Sequence, residues 1–228
     1  MRNNIFFVNL ACYIDSIMID SKKKLQMYLD ADKFALGYNK KFPNPIKDSV
    51  WIYEILLRKC EYHRNVGNTI RKLIYGYFLQ KYGYKLGFSI SANCFGPGLR
   101  INHHGLLIVN AKARIGKWCD VHQGVNIGEN GYYDENQVGG VKSCVPVFGD
   151  FIFIGPGAKL FGDIKIGNGV RVGANAVVNK SVSDNKTVFG CPQVEKDSTK
   201  KHITIASPEF EAEFLKKYPQ YEGMIEEW

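Results

Sequence analysis

The chain lacks paired cysteines, lacks any long apolar run and is poor in histidine, and each shortage excludes something. Its six cysteines, Cys12, Cys60, Cys94, Cys119, Cys144 and Cys191, are scattered, with no CxxC spacing. In a chain of 228 residues that usage implies reduced thiols in a cytoplasmic protein and argues against a disulfide framework. No uninterrupted apolar stretch approaches the ~20 residues that span a bilayer. The segment Ile5 to Tyr13 is apolar but short, is broken by Asn9 and is followed by Asp15 and Asp20. It has neither the basic lead-in nor the small-residue exit of a secretory leader, so the sequence predicts a cytoplasmic protein with no membrane span. Lys22-Lys23-Lys24 is the one tight basic run; it reads as solvated surface, and no nucleic-acid partner is expected. What remains is ordinary for a globular protein, with 45% hydrophobic and 23% charged residues. The net charge of +8 admits an anionic ligand, a phosphate-rich one included.

Two textures meet near residue 87. Before it the pattern is helical: Ile70, Leu73, Ile74, Tyr77 and Phe78 repeat at the spacing of one apolar helix face. Val50, Trp51, Tyr53, Ile55, Leu57 and Cys60 fall in a second helix-length segment that opens after Pro43-Asn44-Pro45, with Asp48 or Ser49 as N-cap. Gly67-Asn68 separates these two helices, and a third is expected over Ser21 to Leu29. Beyond residue 87 the helical period vanishes and a six-residue period replaces it. It runs through Phe148, Ile154, Leu160, Ile166, Val172 and Val178, with Ile152, Ala158, Ile164, Val170, Ala176 and Val182 four places after each. An earlier block repeats it at Val109, Ile115, Val121 and Ile127.

Hexads of this kind wind a chain into a triangular coil of about eighteen residues whose aliphatic side chains stack from coil to coil. Residues 129–146 break the register and read as an excursion loop on a rigid scaffold, a usual place for function. Residues 194–228 leave the repeat, and a helix from Ser207-Pro208 through Phe214 is expected to cap the open end of the prism. The reading is thus a helical region over 1–86, a β-helix over 87–193 and a tail over 194–228.

Three of the five histidines, His103, His104 and His122, fall in one short stretch. At eighteen residues per coil His104 and His122 are expected to stack on successive coils. Imidazoles gathered at one corner suit a general base or a metal, and neutral imidazole titrates near working pH.

The stretch FGPGLRINHHGLLIVNAKARIGKWCDVHQGVNIG, from Phe95 to Gly128, resembles the serine acetyltransferases and, more closely, their relatives that O-acetylate sugars of surface polysaccharides. The segment IGPGAKLFGDIKIGNGVRVGANAVV and the later GCP at Gly190 to Pro192 are similar to that family's last coils and exit. The resemblance covers roughly residues 85–193 and implies a mainly β fold, a left-handed parallel β-helix with an α-helical N-terminal region. It also implies acetyl-CoA as cosubstrate, a homotrimer and no metal. By motif it makes His103 the general base, with His104 as its rival and His122 lining the acceptor pocket. Gly155, Gly173 and Ala174 would let the pantetheine arm approach the backbone, and Lys180 and Lys186 would meet the phosphates.

Two positions depart from the serine enzymes. Asn102 stands where they carry an aspartate before the histidine, and Val145 stands in place of a second histidine. Both fall on the acceptor side, so the expected acceptor is a sugar hydroxyl, with L-serine as the alternative. A zinc-dependent hydratase on the same prism lacks here the two histidines five residues apart that such a site uses. A non-catalytic scaffold is the remaining alternative. A nucleotidyltransferase would need a glycine-rich nucleotide domain within residues 1–86, and none is there.

Overall fold

The computed structural model describes residues 18–133, 141–197 and 207–226. The reading of Ile5 to Tyr13, and Cys12 with it, lies outside the described residues. Three helices open the fold: α1 (Lys22–Ala35), α2 (Ser49–Asn65) and α3 (Thr69–Leu86). Ser21 caps α1, its hydroxyl accepting from Lys24 N, and the helix runs six residues past the expected end at Leu29. Asn68 caps α3 by accepting from Arg71 N, as the Gly67-Asn68 break implied.

From Phe88 the chain winds into a three-sided parallel β-helix. One face stacks β1 (Phe88–Ile90), β3 (Leu107–Val109), β5 (Asn126–Gly128), β10 (Lys159–Phe161) and β13 (Val177–Val178). A second stacks β2 (Arg100–Ile101), β4 (Asp120–Val121), β9 (Phe153–Ile154), β12 (Arg171–Val172) and β14 (Lys186–Phe189). The third holds β8 (Val147–Phe148) and β11 (Lys165–Ile166), extended by bridges at Phe95, Ile115 and Val182. Every aliphatic position of the hexads named above is buried, and the pairing registers put Ile101, Val121, Ile154, Val172 and Val188 in one internal column. No coil buries its apolar side alone, so stacking carries the stability.

β6 (Asn130–Tyr133) and β7 (Val141–Cys144) leave the prism as an antiparallel hairpin. At the far end β15 (Val194–Asp197) turns back antiparallel on β14 and ends the parallel winding.

The first coil has no coil before it, and its edge is closed by charge. Backbone N–H groups of Asn93, Leu99 and Ile101 donate to Glu61, Asp32 and Glu54, while Arg58 donates to the carbonyls of Phe95 and Gly96. Arg58 also holds Asp32 at 2.7 Å and Glu61 at 3.0 Å. All four charged side chains are buried. They substitute for the missing strand, because an unpaired buried edge is costly and invites aggregation.

One expectation is corrected. The tail helix α4 (Pro208–Lys217), capped by Ser207, does not close the end of the prism. It lies on the flank with α1: Phe214 packs on Trp118 and Phe34, and Trp118 Nε1 donates to Glu211 at 2.6 Å. Trp118 is a fully buried anchor at that corner, and an aromatic cluster is worth more there than over the exposed final coil. The apolar face Ile70, Leu73, Ile74, Tyr77 and Phe78 points away from the core and is exposed throughout. The other side of α3, with Leu79, Tyr82 and Leu86, packs on the solenoid. A period of 3.6 fixes which residues share a face, not which face turns inward.

The Trp118 corner yields a sharp prediction. Gly98 has φ +78°, and a Cβ there would lie 2.3 Å from the Trp118 ring. Gly98→Ala combines left-handed strain with overpacking, so a loss of about 2–4 kcal/mol is expected in denaturant titration. The same titration of Gly223→Ala, where a Cβ meets nothing within 4 Å, serves as the control.

Candidate active site

The three histidines do not stack as expected. Strand register sets Ile101 on Val121 and Val109 on Ile127. Eight residues therefore separate the first coil's pair where six separate the second's. The two extra residues lie in the corner His103-His104-Gly105-Leu106, which stands out from the prism and is tied back by Gly105 N donating to Leu86 O at 2.9 Å. As a result Asn102, not His104, is the coil neighbour of His122.

His122 is the better-held imidazole. Its Nε2 receives Asn102 Nδ2 at 3.0 Å and lies 3.6 Å from Asp120 Oδ1. Its ring meets Phe153 edge to face at 5.1 Å and faces the His103 ring at 6.2 Å. Burial depresses its pKa, with the neighbouring His103 and Arg100 acting the same way and Asp120 opposing them. Burial thus disfavours the charged form of this ring. His103 and His104 are both exposed.

Asp120 is a feature that the sequence reading missed. Its side chain is 2% exposed, Arg100 Nη1 reaches its Oδ2 at 3.3 Å, and Oδ1 has no hydrogen-bond partner among the described residues. Burial raises its pKa while Arg100 and His122 hold it down. Arg171 continues the column, its guanidinium 5.0 Å over Phe153. One signal was available: Arg100 and Asp120 are opposite charges one coil apart, though only the register shows that this coil is twenty residues long.

Asn102, His122, Gly155 and Gly173 follow one another up the coils, their backbone N–H groups donating to the carbonyls of Val121, Ile154, Val172 and Val188. Gly155 is required by that stacking itself: a Cβ would sit 2.8 Å from Ala174 N and 2.9 Å from Val172 O. Its glycine therefore does not by itself report a ligand. Ala174, after Gly173, is exposed. The two lysines are divided. Lys186 begins β14 on the same face but pairs with Asp197, whereas Lys180 follows β13 at a different corner. Among the described residues no three His, Cys, Asp or Glu side chains gather as a metal-binding group. Cys60, Cys94 and Cys119 are buried thiols outside any disulfide, and Cys191 is exposed.

The geometry defines a hexapeptide-repeat solenoid with two imidazoles at one corner of its second face. Comparison with known proteins places it further. No family model matches the chain. Over 97 residues it is 38% identical to a serine acetyltransferase of Mycobacterium tuberculosis and 34% identical to one of Synechococcus elongatus, covering 42% of this chain in each case. The chain spans only about two fifths of the length of these relatives, 39% and 37% respectively. Among solved structures it is similar to the soybean serine acetyltransferase apoenzyme, with TM-score 0.57 at 22% identity over 75% of this chain and 69% of that one. It is also similar to the Neisseria gonorrhoeae serine acetyltransferase, with TM-score 0.54 at 21% identity over 85% and 80%. At such identities the structures establish the fold alone. In its repeat region the chain is a serine acetyltransferase-like hexapeptide-repeat protein.

Proposed function

We propose that the chain is an acetyl-CoA-dependent O-acetyltransferase. The observation that carries this reading is the pair of imidazole rings, edge to face with centroids 6.2 Å apart, on a solenoid of the serine acetyltransferase kind. His103, on the projecting corner, takes the proton of an acceptor hydroxyl as its oxygen attacks the thioester carbonyl. The carbon–sulfur bond breaks, and the imidazolium returns the proton to the departing thiol. No covalent acetyl-enzyme is needed, so the buried cysteines keep packing roles. His122, held by Asn102 and backed by Asp120, lines the acceptor side. The carboxylate that the Asn102 position lacks is supplied from the next coil by Asp120, a positioning group for His122. The backbone at Gly155, Gly173 and Ala174 takes the pantetheine arm, and Arg171 and Lys186, on the same face, are the cations for the phosphates, with Lys180 at a different corner. A groove of this kind is completed by a neighbouring subunit, which favours a homotrimer.

For the acceptor, the names of the relatives reported above favour L-serine. A sugar hydroxyl, as on a surface polysaccharide or its precursor, is supported by Asn102 and Val145, the two departures from the serine enzymes. Thiol release from acetyl-CoA, measured with L-serine and with a panel of nucleotide sugars and oligosaccharides, separates the two. Stimulation by L-serine makes Asn102 and Val145 tolerated substitutions, and stimulation by a glycan alone makes them determinants of specificity. If no hydroxyl compound stimulates release and acetyl-CoA does not bind, the proposed activity is wrong.

A further inference from the structure

Arg100 stands at the acceptor end of the candidate site with most of its hydrogen-bonding capacity unused. In the run Arg100-Ile101-Asn102-His103 it opens β2, and register sets it on Asp120 of the next coil. Its Nη1 donates to Asp120 Oδ2 at 3.3 Å. That is one long contact, where a guanidinium that only neutralises a carboxylate favours two parallel bonds. Among the described residues the other N–H donors of its fork bond to nothing, and Asp120 Oδ1 is likewise without a hydrogen-bond partner. The Arg100 side chain is 32% exposed and that of Asp120 2%. An arriving molecule therefore meets the cation and not the carboxylate.

The surroundings share that sign. Between Glu61 and Asp120 the sequence holds no aspartate or glutamate. Glu54 reaches over from α2, its Oε1 accepting from Ile101 N at 3.0 Å. Burial pushes that carboxyl well up, with Asp32 adding to the effect, so its charged form is disfavoured. Asp120 is thus one carboxylate facing two guanidinium groups, Arg100 and Arg171, and the His122 ring. When an imidazole here takes the acceptor's proton, it adds a further positive charge to the group. An acceptor that carries its own negative charge offsets this, and a neutral one does not.

We infer that Arg100 reads an anionic group, a carboxylate or a phosphate, on the acceptor that is acetylated. The inference rests on the acetyl-transfer reading and deepens it. It also divides acceptors differently from the choice between serine and sugar: L-serine carries a carboxylate, and a sugar qualifies when it is acidic or phosphorylated. Arg100 takes the acceptor at the first coil, while Arg171 and Lys186 serve the cosubstrate farther up the same face.

The test compares acceptors that differ by one anionic group: D-glucuronate and glucose 1-phosphate against D-glucose, and L-serine against L-serinamide. In thiol-release assays the wild type should favour the anionic member, and the pair that responds tells carboxylate from phosphate. Arg100→Gln should lower that preference, the ratio of the two kcat/KM values, about 10- to 100-fold, as for one charge-assisted hydrogen bond lost. Arg100→Lys, which keeps the charge without the fork, should restore part of it. Because Arg100→Gln strips Asp120 of a counter-ion, Arg100→Gln with Asp120→Asn is measured beside it, and its ratio should stay low. Equal losses on anionic and neutral acceptors overturn the inference, since a guanidinium that merely holds Asp120 serves both alike. So does a wild type that favours no anionic acceptor. A drop in oligomer mass by light scattering in Arg100→Gln, with the preference intact, overturns it too and assigns the guanidinium to a contact between subunits. Calorimetric binding of the same compounds to the full chain without acetyl-CoA keeps the two readings apart. Charge-dependent binding that Arg100→Gln loses, with no thiol release from any acceptor, would uphold the anion site and defeat acetyl transfer.

Discussion

His103→Ala is expected to lower turnover about 10²- to 10⁴-fold, the usual contribution of a positioned general base, with no loss of stability. The ring is exposed on a projecting corner, so its removal opens no cavity, and surface changes of this kind stay within about 0.5 kcal/mol. His122→Ala is a different experiment, because that ring is half-buried between Asn102, Asp120 and Phe153. It should weaken acceptor use and also cost some stability. The pH profile tells the two rings apart. Burial depresses the His122 pKa and Asp120 pulls it back up. Asp120→Asn removes the opposing charge, so any acid limb that belongs to His122 should move to lower pH. An acid limb unmoved by Asp120→Asn does not belong to His122. If His103→Ala keeps full turnover while His122→Ala loses it, the base is His122 and the motif-based assignment fails.

The second large effect is on stability. Arg58→Ala should destabilise the protein by about 3–5 kcal/mol, the range for removing one partner of a buried charge network. Arg58 is fully buried, holds Asp32 and Glu61, and donates to two carbonyls of the first coil. Its loss leaves two carboxylates without their counter-ion and an open strand edge. Thermal melts should fall by roughly 10 °C, at the ~2–4 °C per kcal/mol typical of this chain length. A triple variant, Arg58→Met with Asp32→Asn and Glu61→Gln, should recover much of the loss, because the damage comes from uncompensated charge more than from lost attraction. If the triple variant is as unstable as Arg58→Ala, the carbonyl contacts of Phe95 and Gly96 carry the effect.

Much of the fold was legible in the sequence. The hexads named as core positions, from Val109 to Val182, are all buried, because six-residue spacing on a three-sided coil leaves one aliphatic residue per side no other place to go. Two of the helices were readable from the apolar period before residue 87 and from the Gly67-Asn68 break between them. The site was legible only in part. His103 and His122 do face one another, but His104 does not stack on His122, since two additional residues at the 103–106 corner lengthen the coil. Periodicity counts residues along a chain; only pairing shows where a corner absorbs extra ones.

The sequence by itself thus determined the solenoid, its core and the neighbourhood of the histidines, all of which follow from local spacing that every coil repeats. Tertiary structure alone decided three things: that Asp120 stands behind His122, that four buried charges close the first coil, and that α3 turns an apolar face outward. Each depends on which element packs against which. The short-range pattern is the same whether a side chain meets the prism, a neighbouring helix or solvent.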